Sequence, residues 1–123
     1  MGLEDKLQVV KHNHVAHVFT IPKTLQKDGV AKKVGIRELT SDEEITASKV
    51  GNYNIAKTEY ESVKMSICSL DGKSTSNADG DVDAFWNKCG PKVRTLLLKA
   101  HNRVNTPQKD EDEDFFKSET VEV

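Results

Sequence analysis

Few residues in this chain have the type and spacing to do chemistry. His12, His14 and His17 form an H-x-H-x2-H cluster, and imidazole is a common ligand for transition metals. In a strand His12 and His14 share one face while His17 points to the other. No neighbouring carboxylate or thiol completes a zinc-ligand spacing, so exposed strand histidines are the expectation. Asp79, Asp81 and Asp83 open like a calcium loop. Its sixth position is Ala84, where the sharp turn needs glycine, and its twelfth is Gly90, where a bidentate glutamate belongs. These aspartates are expected to cap a helix. The chain has no G-x-x-x-x-G-K-[ST] and no G-x-G-x-x-G phosphate loop. No serine or cysteine sits in a recognisable nucleophile motif. The paired carboxylates fall in acidic surface runs. The expectation is a protein without catalysis, cofactor or bound metal.

Two charged segments carry more information. Lys92, Lys99 and Arg103 fall near one face of a helix over 91–104, with Arg94 and His101 nearby and the leucines opposite. Such a face can contact phosphate. The chain offers no aromatic stripe on which bases could stack, so a solvated basic face is expected and nucleic acid is not the expected partner. After it comes Asp110–Asp114 (DEDED), then Phe115 and Phe116. Two adjacent phenylalanines are too apolar to leave in water, so they fold back on the core or dock on a partner. Residues 91–109 hold five basic and no acidic side chains, and residues 110–123 hold one basic and seven acidic. The two blocks should attract one another, weakly for each exposed pair and less in salt.

The whole chain has 123 residues, 31% charged and 36% hydrophobic, with a net charge of −2. That length fits one domain with a small core, helped by oligomerisation or docking. The division expected is an arm over 1–12, a single α+β domain over 13–107 and an acidic segment over 108–123. The opening MGLEDKLQ is polar, which predicts no secretion leader. No apolar run nears the roughly 20 residues of a membrane span. Cys68 and Cys89 are expected as free buried thiols in helices, which favours the cytoplasm.

The positioning elements follow from periodicity. Residues 14–21 alternate, placing Val15, His17, Phe19 and Ile21 on one strand face, and stop at Pro22. Residues 30–38 read as a second strand with Val30, Val34 and Ile36 on one face and a bulge at Gly35. A hairpin alone is marginal in water. A helix or a neighbouring chain must cover that face, so Val30, Val34 and Ile36 join the partner-binding candidates Phe115, Phe116, Lys92, Lys99 and Arg103. A capping box of Ser41 and Glu44 opens a helix over 42–50, with Ile45 as its core residue. After Gly51-Asn52, Ala56, Tyr60, Val63, Ile67 and Leu70 form one stripe on a helix over 54–70, ended by Asp71-Gly72. A loop over 73–80 leads to a short helix over 81–89 and, after Gly90-Pro91, to the helix over 91–104. Residues 108–118 form a short acidic helix or loop, and 120–123 a strand or tail. The fold class expected is α+β, an N-terminal β-hairpin packed on a small bundle of three to five helices. Ile45, Tyr60, Val63, Ile67, Phe85, Trp86, Val93, Leu96, Leu97 and Ala100 are its expected core.

With these residues in view, their order resembles a family. The hairpin leads into REL-TSDEE; then come the Y-E-x-V-K helix ending SLDGK, F-W followed by P-K-V-R-T-L-L-L-K-A, and acidic-F-F-K-S. From about residue 18 to 118 this resembles the small tail-gene proteins of tailed bacteriophages, in the style of tail assembly chaperones. The resemblance implies a non-enzymatic protein in the cytoplasm of an infected bacterial host. It would bind the tape-measure protein and tail subunits through apolar helix faces. Relative to the better-known systems, a slippery-type extension or second domain is not expected, which sets the two-form chaperone scheme aside. The alternative is a structural virion subunit of the baseplate, neck or tail, forming a homo-oligomer through its hairpin.

Overall fold

A computed structural model describes residues 16–75 and 80–118. His12, His14, Val15, Asp79, the arm over 1–12 and the segment 120–123 lie outside the described residues. The architecture is α+β. Strand β1 (His17–Thr20) pairs antiparallel with β2 (Lys33–Ile36), in a register that sets Phe19 opposite Val34 and His17 opposite Ile36. Val34 and Ile36 alternate with Lys33 and Gly35, as the pleat requires, and both are 0% exposed. The second strand is shorter than expected. Gly29 has φ 75°, and the Val30 amide donates to the Lys27 carbonyl, so Val30 sits in a turn. It still packs against the core, as do Leu25 and Ala31.

Helix α1 (Ser41–Val50) begins one residue earlier than expected, because Thr40 caps it. The Glu43 amide donates to the Thr40 hydroxyl at 3.2 Å and the Thr40 amide to the Glu43 carboxylate at 3.0 Å. Both Thr40 and Ser41 can cap by residue type. Arg37 decides between them, since its guanidinium grips the Glu43 carboxylate with both terminal nitrogens and holds it at the third helical position. Ala47 is the buried residue of α1, and Ile45 is 54% exposed. The expected core role of Ile45 is therefore corrected: α1 lies so close to its neighbour that the contact face takes only small side chains.

That neighbour is α2 (Ile55–Ser66), and here the expected helix over 54–70 is corrected too. The chain leaves the helix at Ile67 and runs directly into β3 (Ile67–Leu70), followed by β4 (Lys73–Ser74). Asp71 and Gly72 have φ 51° and 81°, the two left-handed positions of a two-residue hairpin turn. Leu70 faces Lys73 across it. Asp71 also clips the sheet: its Oδ1 accepts the Lys32 and Lys33 amides, each at 2.9 Å. Those donors, Lys33 first, hold its carboxyl below the ordinary range. The four strands thus form one antiparallel sheet, ordered β1-β2-β3-β4. Its register shifts between Gly35 and Ile36, where Gly35 marks the expected bulge.

Three further helices follow: α3 (Asp81–Lys88) and α4 (Pro91–Asn105), which pack on the core, and α5 (Lys109–Lys117), which buries no residue. Gly80, with φ 69°, is the cap of α3, and Asp81 and Asp83 sit in its first turn instead of capping it. Pro91 opens α4 at a position whose amide has no helical partner. The core joins Ile21, Val34 and Ile36 of the sheet to Val63, Ile67, Val82, Phe85, Trp86, Cys89, Val93, Leu97 and Ala100. Tyr60 and Leu96 are corrections. Tyr60 is 43% exposed and meets Trp86 edge-on with ring centres 5.3 Å apart; Leu96 is 39% exposed. Cys68 lies in β3 and Cys89 ends α3; both are free. Cys89 is buried and Cys68 half-buried, so the buried free thiol expected is found at Cys89, although neither cysteine lies within a helix. Among the described residues no helix is long and apolar enough to cross a membrane.

Candidate functional site

The sheet order leaves β1 at an edge, and α4 passes beside it. Between them lies a groove of about 290 Å³. Phe19, Ile21 and Pro22 come from the β1 side, Val34 from the next strand, and Val93, Leu96, Leu97 and Ala100 from α4. Lys99 and Arg103 stand on its rim. The groove is apolar because two amphipathic elements of different period meet there. The inward face of a strand and the flank of a helical stripe both extend past the line where they touch. Its floor is buried, whereas Leu96 and Pro22 are exposed and Phe19 is half-buried.

The expected site residues are distributed unevenly around it. Val34 and Ile36 are 0% exposed; Val34 forms part of the groove floor and Ile36 does not line it. Val30 is half-buried in its turn. Lys92, Lys99 and Arg103 are exposed on α4, and none of them belongs to an ion pair among the described residues. They are not simply opposite the leucines. Lys92, Leu96, Lys99 and Arg103 follow at intervals of four, three and four, a single helical stripe with one apolar member. That spacing was the available signal for Leu96 as a surface residue. Arg94 is taken up elsewhere: its side chain donates to the Trp86 carbonyl and its guanidinium lies over the Trp86 ring at 5.5 Å.

Phe115 and Phe116 project from α5, 71% and 65% exposed, with their rings edge-to-face at 5.2 Å. Every residue of α5 is exposed. The Gln108 amide donates to the Glu111 carboxylate at 3.1 Å, and the Gln108 side chain donates to the Arg103 and Thr106 carbonyls at 2.8 and 3.0 Å. Asp110, Glu111 and Asp112 occupy the first turn, where the helix dipole favours negative charge.

A second polar cluster was not anticipated from the sequence. The Ser66 hydroxyl lies 2.9 Å from His101 Nδ1 and 2.7 Å from the Val63 carbonyl. Asn105 approaches the same imidazole at 3.2 Å and accepts the Leu39 amide at 2.8 Å. Ser66 is 0% and His101 8% exposed, so the pair resembles a nucleophile and base only in residue type. It ties α2, α4 and the segment after β2 together. The legible part of the signal is His101 and Asn105, one helical turn apart; Ser66 comes from a distant helix.

Burial pushes the His101 imidazole below its ordinary value of 6.5, with Glu44 pulling weakly the other way. The folded chain then binds fewer protons than the unfolded chain once the pH drops below about 6.5, and stability falls with pH from there. The Arg37 hydrogen bond lowers Glu43 from 4.5 to about 2, so its contribution is complete above 4.5 and disappears as pH falls toward 2. The urea midpoint should therefore decline in two stages. His101→Gln should remove the upper stage and leave the lower. A wild-type midpoint that stays level from pH 6.5 down to 4.5 would show that His101 is not held neutral by the fold.

Among the described residues no group of three or more His, Cys, Asp and Glu side chains could hold a metal ion. His17 is exposed on β1. Comparison with protein-family models, curated proteins and solved structures finds no match for this chain.

Proposed function

We propose that this is a non-enzymatic bacteriophage tail assembly protein, chaperone-like, that holds an apolar helical segment of a tape-measure or tail subunit in the β1–α4 groove. The observation that carries the reading is the groove itself. It joins an apolar floor to two cations free of ion pairs on an exposed face, which fits an amphipathic helix with acidic flanks. Its volume lies at the low end for small-ligand pockets, and its polar groups stand at the rim and not at the floor. The non-enzymatic half is supported by the enclosure of Ser66 and His101. The phage-tail half is supported by the order of the sequence strings alone.

The test is co-expression with the tape-measure protein of the parent phage. A soluble complex should form with the wild-type chain and should be lost with Leu96→Glu, which sets a carboxylate on the groove's open apolar face. A complex that survives Leu96→Glu overturns the groove as the binding site. The structural-subunit reading is favoured by one observation: β1 is a sheet edge with Val18 62% exposed, open to strand addition by a neighbour. Mass spectrometry of purified particles separates the two. Fixed stoichiometry against the major tail protein makes this a virion subunit. Absence from particles, with abundance in the infected lysate, makes it an assembly factor.

A further inference from the structure

We infer that the β1–α4 groove is occupied, before any partner arrives, by helix α5 of a second copy of this chain, in a closed dimer with reciprocal contacts. The inference rests on the groove being a protein-binding site, and it names the occupant that the free protein itself supplies.

Charge complementarity comes first. Helix α5 carries five consecutive carboxylates, Asp110 to Asp114, none in an ion pair among the described residues. Lys92, Lys99 and Arg103 on α4 are equally without ion-pair partners among the described residues. The carboxylates from Asp110 to Asp114 rise about 6 Å, the same as the step from Lys99 to Arg103 on the groove rim, at about 1.5 Å per residue.

Apolar complementarity comes second. Phe115 and Phe116 are the largest exposed apolar side chains on α5, and the groove's accessible apolar surface comes from exposed Leu96 and Pro22 and half-buried Phe19. Glu113 precedes Phe116 by three residues and Glu111 precedes Phe115 by four, so each ring shares a helix face with a carboxylate. A ring entering between Phe19 and Leu96 brings a carboxylate toward Lys99 and Arg103.

The occupant comes from another copy because the chain's own α5 is held elsewhere. Glu111 lies beside Glu38, Leu39 and Glu44, none of which lines the groove. The Gln108 side chain locks the junction onto the Arg103 and Thr106 carbonyls. Only Thr106 and Pro107 separate α4 from this lock, too few to turn α5 back along α4 without breaking it. If each copy lends its α5 to the other, the contact closes as a two-fold dimer. A partner helix must displace α5, so the groove is covered until the partner competes for it.

Sedimentation velocity of the full-length chain, over a two-decade concentration series, tests this. The wild type should dimerise. Phe115→Ala/Phe116→Ala and Lys99→Glu/Arg103→Glu should each weaken dimerisation at least about tenfold without altering the circular dichroism spectrum, since all four residues are exposed. Mixing the two variants should give a mixed dimer tighter than the weaker variant's own, because one of its two contacts pairs an intact groove with an intact α5. A wild-type monomer throughout, a dimer indifferent to both variants, or a mixture no tighter than either variant alone overturns the inference. These results leave the tape-measure complex and its sensitivity to Leu96→Glu untouched. Conversely, a dimer that behaves as stated, alongside a tape-measure complex indifferent to Leu96→Glu, overturns only the proposed partner.

Discussion

Ile36→Asp should leave the chain without a cooperative fold. Ile36 is 0% exposed on β2, which has strands on both sides, with helices over its face. The substitution removes the burial of a large aliphatic side chain, about 2–5 kcal/mol for truncations of this size. It also places a carboxyl where no hydrogen-bond donor awaits it, for a further penalty of about 2 kcal/mol or more. Domains of this kind are stable by only about 5–15 kcal/mol. Thermal unfolding followed by circular dichroism should show no sigmoidal transition at neutral pH. The control is Ile36→Val, which deletes one methylene and should cost about 0.5–1.5 kcal/mol with cooperativity retained. A cooperative melt for Ile36→Asp would mean that the sheet face is not sealed by α2 and α4 as described.

Gly51→Ala should destabilise the fold by about 1–3 kcal/mol, although the backbone there suits alanine. Gly51 has φ −74°, an ordinary value, so alanine's stiffer unfolded chain would by itself add about 0.4–1 kcal/mol of stability. Space decides the sign. A Cβ at Gly51 would stand 2.7 Å from both the amide nitrogen and Oγ1 of Thr58, and 2.9 Å from its Cα. Two of those three atoms are backbone, and backbone in the first turn of α2 cannot move without moving the helix. The denaturant midpoint should fall with an unchanged slope. Thr58→Ala should not rescue the variant, because it removes only the hydroxyl. Full rescue would place the clash in the side chain and contradict the close approach of α1 and α2.

The Gly51 contact also marks where local reading stops. Gly51-Asn52 is legible as a break between helices, and the structure turns there through Asn52 and Tyr53 at φ 53° and 57°. That the break lets α1 lie against α2 is not legible, because the closeness of two helices depends on residues from both. The same holds for Ile45, which periodicity assigns to the core although Ala47 and Gly51 form the contact. The cap of α1 was displaced by one residue through Arg37, an ion pair outside the helix.

By itself the sequence determined the α+β class, the hairpin with its bulge at Gly35, the start of α4 at Pro91, and seven residues of the core, Ile67 among them although it lies in β3. Each of these rests on local physics: a period of two or of about four, a proline without an amide hydrogen, or a glycine without a Cβ. Tertiary structure alone decided the rest. Ile67 to Leu70 continue the apolar stripe of α2, so the pattern reads as helix, yet they form a strand because β2 offers an unpaired edge and Asp71-Gly72 closes a tight hairpin. The Asp-Gly pair was visible, but a helix end and a hairpin turn use the same left-handed residues. The groove and the Ser66–His101–Asn105 cluster join residues far apart in sequence, and a pairing of that kind has no period for a sequence to show.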